Sequence, residues 1–166
     1  MILAETERLL IRPFQKSDLE PLAAMLADRD VMRFISKGET LSYTESTAYL
    51  ERQIAHYEET GWSRFALIEK SSNNFIGFCG YAYFNGELDF GWRLKKEYWK
   101  KGYATEAAKK VLDLGHRTFI FPRIVSIAYS DNLASIKIMQ KIGMKYEKDI
   151  SLNSKPVVQY VSSLSE

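Results

Sequence analysis

The sequence predicts a mixed α/β (α+β) fold on a largely antiparallel sheet. Three observations carry that prediction. Short β-rich runs and capped helical patterns follow one another in the order β-α-α-β-β-β-α-β-α-β-β. Three of the runs are separated only by turn residues, as in a meander. Between two of these lies Asn85-Gly86, a strong hairpin signal that folds its flanking runs back on each other.

The elements follow in order. Residues 6–14 (TERLLIRPF) are rich in branched apolar side chains and stop at Pro13, so they form a strand. Ser17 and Glu20 have capping-box spacing, and Pro21 falls in the first helical turn, where its missing N–H does little harm. A helix is expected over residues 18–27. Ser42 and Glu45 repeat the box and open a longer helix through Glu59, stopped by Gly61. Strands follow over residues 63–70, 75–84 and 87–94, with SSNN and NG as their turns. A third helix covers residues 102–117, with Ala104, Ala108, Val111 and Leu112 facing inward. RIVSIAYS is a fifth strand. Asp131 or Asn132 caps a fourth helix that ends at Gly143, and residues 144–161 form two strands around a polar turn.

Composition narrows the class. The chain has 166 residues, 46% hydrophobic and 27% charged, with nine Gly and four Pro. That suits one globular domain over residues 1–166, with a sizeable core and no repeat, linker or low-complexity tract. Twenty-three basic side chains against twenty-one acidic give +2, so no global field draws nucleic acid or an anionic membrane. No apolar run is long enough to span a bilayer, and MILAETERLL carries acids where a signal peptide needs lysines. Cys79 is the only cysteine, which excludes an internal disulfide and fits a reducing, cytoplasmic setting. Between Phe78 and Gly80, it is a small core residue. His56 and His116 have no ligand-spaced partner, so no metal site is expected.

The corner EYWKKGYATEAAKK, residues 97–110, is where chemistry concentrates. A helix starting near Gly102 leaves its first N–H groups without intrahelical acceptors, and the helix dipole is positive there. Small residues at Gly102 and Ala104 let an anion approach the main chain, and Lys100 and Lys101 add charge. A solvated lysine-rich turn has the same composition. Neither G-x-G-x-x-G nor G-x-x-x-x-G-K-[ST] is present, which removes dinucleotide and Walker-type readings.

Three segments together, TERLLIRPF, YWKKGYATEA and DNLASIKIMQKIGMKYE, resemble the GNAT superfamily of acyl-CoA-dependent N-acetyltransferases, and within it the branch of ribosomal-protein N-terminal acetyltransferases. The resemblance runs from about residue 5 to about residue 161. It implies a splayed, mostly antiparallel sheet of about seven strands with about four helices. It also implies acetyl-CoA as co-substrate and transfer of acetyl to a primary amine, by direct attack through a tetrahedral intermediate. The acceptor is a protein N-terminus or a small amine, and family members occur as monomers and homodimers.

The same resemblance assigns residues. The family's pyrophosphate pattern, [QR]-x-x-G-x-[GA], falls on Trp99 to Ala104, so the amides of Lys101, Gly102, Tyr103, Ala104 and Thr105 would hold the phosphates, with Lys100 beside them. Two residues depart from it: Trp99 replaces Gln or Arg, and Lys100 stands where glycine is frequent. Main-chain groups of Trp92, Arg93 and Leu94 would pair with the pantetheine arm and the thioester oxygen, and Asn132 and Ser135 would contact it from the fourth helix. The family's tyrosine acid falls on Met139, which leaves Ser135 as hydrogen-bond donor or water anchor near the thiolate, whose pKa is ~8.5. Asp89, on one strand face with Glu87 and Gly91, is the candidate base. Glu106 complements the helix dipole. The acceptor wall is expected around Arg33, Phe34 and the final hairpin. The rival reading is a non-catalytic acyl-CoA-binding module; a nucleic-acid role for KKEYWKK ranks below both.

Overall fold

Branched and aromatic runs with buried faces pair into one sheet. The computed structural model describes residues 1–164. Its strands are β1 (Ala4–Glu5), β2 (Leu9–Pro13), β3 (Arg64–Glu69), β4 (Asn74–Phe84), β5 (Glu87–Leu94), β6 (Arg123–Tyr129), β7 (Lys145–Leu152) and β8 (Lys155–Ser163). Their order across the sheet is β1-β2-β3-β4-β5-β6-β8-β7. Every neighbouring pair is antiparallel except β5 and β6. The helices are α1 (Leu19–Leu26), α2 (Arg29–Met32), α3 (Tyr43–Thr60), α4 (Tyr103–Arg117) and α5 (Leu133–Lys141).

The sheet separates two cores. Leu9, Ile11, Leu67, Tyr81 and Phe90 pack with Val111 of α4 and Met139 of α5. On the other face Phe14, Ala66, Phe75 and Phe78 pack with Leu22 and Leu26 of α1 and Leu50 of α3. The family fold anticipated from the sequence is therefore present, with one strand and one helix more than the expected seven and four.

The differences have local causes. The strand expected from residue 6 begins only at Leu9, because the Thr6 N–H donates to the Leu9 carbonyl in a turn, which folds an unforeseen strand, Ala4–Glu5, back opposite Ile11 and Leu10. The expected Ser17–Glu20 box is not made. Asp18 is the residue that closes this turn: it accepts the Gln15 N–H at 2.8 Å and two hydrogen bonds from the Arg12 guanidinium, while Glu20 accepts the Tyr43 hydroxyl. The one-turn helix α2, capped by Asp28, is too short to leave a periodic trace. By contrast, the Ser42–Glu45 box is made in both directions, and Gly61 ends α3 in the left-handed conformation it favours, at φ +85°.

Helix α4 lies unusually close to the sheet. The Tyr81 hydroxyl donates to the Val111 carbonyl at 2.7 Å, and a Cβ on Gly115 would sit 2.1 Å from that hydroxyl oxygen. Glycine is there for proximity.

Candidate active site

The site begins where the sheet comes apart. Strands β5 and β6 pair at Asp89 opposite Val125, and the parallel ladder goes no further among the described residues. The Ser126 hydroxyl donates to the Phe90 carbonyl at 2.8 Å, in place of the next ladder bond. Beyond that point lies a wedge. The Lys95 N–H donates to Ile76, so by antiparallel alternation the main-chain groups of Gly91 and Arg93 turn toward β4, and those of Trp92 and Leu94 toward the wedge. The Leu94 carbonyl accepts the Trp99 indole N–H at 3.0 Å. Of the three β5 residues named from the sequence, Trp92 and Leu94 therefore present their main chain to the opening. Arg93 does not: its backbone is committed to the sheet, and its side chain lies on the α1–α3 face against Phe78.

The corner after β5 stands at the mouth of this wedge. Gly102 caps α4 with φ +82°, and Lys100 is also left-handed, at φ +61°. Glu106 is the first residue of α4 whose N–H finds a backbone acceptor, at Gly102. The N–H groups from Lys100 through Thr105 donate to no protein acceptor among the described residues. Gly102 and Thr105 of this run border a cavity of about 630 Å³ lined also by Lys109, Lys110 and Lys141 and by the acids Glu106 and Asp113. Consecutive free donors, a helix dipole and three flanking cations suit an anion with several oxygens.

A brace from the first strands holds the corner. Arg8 donates to Glu106 at 2.7 Å and to the Lys101 carbonyl at 2.9 Å, with its guanidinium 4.0 Å above the Tyr103 ring. Thr6 and the Arg8 N–H donate to the second Glu106 oxygen at 2.5 and 2.9 Å, and the Tyr103 hydroxyl donates to Glu69. Burial alone would lift the Glu106 carboxyl, but the hydrogen bonds from Thr6 and Arg8 outweigh it and hold it below the usual range. Its expected role as dipole complement is thus joined by a structural one. Nothing local in the sequence marks the Arg8–Glu106 pair, whose members are 98 residues apart.

The remaining sequence-derived residues lie on α5 and on the α1–α3 side of the sheet. Asn132 is the N-cap of α5, its side-chain oxygen accepting the Ser135 N–H at 3.4 Å, and Ser135 is half-buried in the first turn. Met139 is in the core. Asp89 accepts a 2.9 Å hydrogen bond from Arg64 on the α1–α3 side, and Arg64 also donates to the Gly80 carbonyl at 2.7 Å. Arg64 lies flat on the sheet here because Gly91 leaves it room; a Cβ there would be 2.7 Å from Nη1. Phe34 carries the Arg33 guanidinium 4.9 Å above its ring. The loop containing Ser36 is tied to the end of β6 by the Tyr129 hydroxyl, which also accepts from Asn153 at 3.1 Å. The loop after Arg33 and Phe34 and the final hairpin are thereby connected through Tyr129.

Other singled-out groups are structural. Cys79 is buried, and burial pushes its thiol up. His116 lies 2.9 Å from the Phe121 carbonyl and 2.8 Å from the Ser162 hydroxyl. Among the described residues no cluster of three or more His, Cys, Asp or Glu is placed to hold a metal, and no helix is long and apolar enough to cross a membrane.

A splayed parallel pair with a donor-lined turn at its mouth defines an acyl-transferring enzyme, and the comparisons agree. Residues 8–145 match the acetyltransferase (GNAT) domain family; the chain belongs to that family and is an acetyltransferase. It is 30% identical over 144 residues to YnaD, an uncharacterized N-acetyltransferase of Bacillus subtilis (strain 168), a match covering 86% of this chain and 82% of the relative. A GNAT-family acetyltransferase from Bacillus anthracis superposes with a TM-score of 0.86 at 27% identity, covering 100% of both chains. RimL, a ribosomal L7/L12 alpha-N-protein acetyltransferase solved in complex with coenzyme A, superposes with a TM-score of 0.84 over 99% of this chain and 98% of its own. At 15% identity that likeness is one of fold.

Proposed function

We propose that the protein transfers acetyl from acetyl-CoA to a primary amine, either a protein N-terminus, as in the ribosomal-protein branch it resembles, or a small amine. The observation that supports this most is the row of free N–H groups from Lys100 to Thr105 beside the place where β5 and β6 part. Those amides would hold the pyrophosphate, with Lys100 and Lys101 adding charge. The pantetheine arm would lie between β5 and β6, completing ladder bonds with Trp92 and Leu94 and meeting Asn132 and Ser135 on α5.

The reaction needs a neutral amine, a stabilised carbonyl oxygen and a protonated leaving thiol. The amine attacks the thioester carbon, a C–N bond forms, the C–S bond breaks and the sulfur takes a proton. A main-chain donor at Trp92, aimed at the carbonyl oxygen as it gains charge, would contribute roughly 2.7–4 kcal/mol. Ser135 would anchor a water near the sulfur. Asp89 would take the amine proton through water on Oδ1, since Oδ2 is bound to Arg64. An α-amine with a pKa of about 8 needs little of that help, a lysine at about 10.4 much more.

Calorimetric titration of acetyl-CoA into wild type and Ala104→Glu tests the cofactor site. Micromolar-range binding that is lost in a folded variant supports the reading; absence of binding to folded wild type sinks it.

A further inference from the structure

We infer that the acceptor carries a carboxylate close to its amine, and that the side chain of Arg93 receives it. This rests on the acetyltransferase reading above. Three other arginines that lean on the sheet meet carboxylates: Arg12 with Asp18, Arg64 with Asp89, and Arg123 with Glu87 and Glu147. Arg93 meets none among the described residues. Its Nε is buried without a partner, its Nη1 reaches only the Met32 sulfur at 3.5 Å, and its guanidinium carbon stands 5.0 Å above the Phe78 ring. Burial pulls its pKa down to about 10; Tyr49 opposes that shift, and repulsion from Arg64 adds a lesser push in the same direction as burial. A half-buried cation whose Nε is buried and without a counter-ion is costly, and replacing it by an apolar side chain of similar volume ordinarily costs little or stabilises. Arg93 is therefore poorly explained as a structural residue and well explained as a receptor for an anion that arrives from outside.

Its place fits that anion's being part of the acceptor. Arg93 projects from the β5 face turned toward α1–α3, opposite the face covered by α4. It directly follows Trp92, whose main chain faces the wedge. A carboxylate on this guanidinium would put an amine a few bonds away beside the proposed thioester site. The segment around Met32, which Arg93 touches, has the same sign: Arg29, Arg33 and Lys37 line a depression of about 500 Å³ whose single acidic lining residue is Glu39. Asp30 is paired with Lys96, and Asp28 caps α2. Such a segment disfavours a polyamine and favours an anionic amine. The carboxylate can be the α-carboxylate of a free amino acid or the side chain of an acidic first residue in a peptide.

Two pairs of probes separate these sources and need no turnover. Glutamate is titrated against glutamine amide, and a peptide amide beginning with Glu against one beginning with Gln. At least one pair should show about tenfold tighter binding of the carboxylate member to wild type, a charge-assisted, bidentate contact being strong enough for that. Arg93→Gln and Arg93→Met should abolish the discrimination, leave acetyl-CoA affinity unchanged and melt no lower than wild type. Equal binding of acidic and neutral members in both pairs overturns the inference. So does discrimination that survives in variants with a lowered melting temperature, which would make Arg93 structural. Intact discrimination in a wild type that does not bind acetyl-CoA overturns the acetyltransferase reading instead, and leaves Arg93 as an anion site without chemistry.

Discussion

At Lys100 an ordinary side chain occupies backbone space that glycine enters freely, at φ +61°. An L-residue there costs roughly 1–2 kcal/mol, part of which a glycine returns through its floppier unfolded state. Lys100→Gly should therefore exceed Lys100→Ala in stability by about 1 kcal/mol in urea titrations, because both remove the ammonium and only one relieves the backbone. This residue also shows how far a sequence can be followed. The run of free N–H groups at Lys100 to Thr105 was legible because helix starts, small residues and flanking charge are local. The Arg8–Glu106 brace, the Arg64 clamp on Asp89 and the solitary state of Arg93 were not, since each depends on strands that only the folded sheet brings together. Even the placement of Arg93 needed the register, which decides toward which neighbouring strand its main chain turns.

Among the elements, α4 carries the tightest constraint. Its Gly115 faces the Tyr81 hydroxyl so closely that a methyl group has nowhere to go, the tyrosine being fully buried and bonded to Val111. Gly115→Ala should destabilise by about 1–3 kcal/mol despite its better helix propensity, a loss of several degrees in melting temperature that calorimetry would read directly. Helix α3 and the 85–86 hairpin could be foreseen in full because box, stop signal and turn dipeptide are each complete within a few residues. Strand β1 and helix α2 could not, at two and four residues, because hydrophobic periodicity needs more length than they have.

Across the whole molecule, ion pairs fasten the sheet at several distant points. Glu147 accepts two 2.7 Å hydrogen bonds from Arg123 and one at 2.8 Å from Gln159, which hold its carboxyl down at about 2 against an ordinary 4.5. Glu106 and Glu69 are lowered too. A group with a depressed folded pKa stabilises fully above its unfolded value and loses that contribution as pH falls toward the folded one. The urea midpoint should accordingly hold steady from about pH 7 to about pH 5 and fall below about 4.5. Glu147→Gln should lower the plateau and make the acid decline shallower; an unchanged slope would show that other carboxylates dominate it.

With a single ladder pair joining β5 to β6, the sheet is two ribbons, β1 to β5 and β6 to β8, held at their seam by that pair, the Ser126–Phe90 hydrogen bond and the Arg123–Glu87 ion pair. Whatever fills the gap becomes a temporary ninth strand, so occupancy should register as mechanical integrity as well as affinity. The amides lining the gap, Trp92 and Leu94 on one bank and Ile127 and Tyr129 on the other, should exchange hydrogen with solvent readily in the free protein and slow together once the seam is closed.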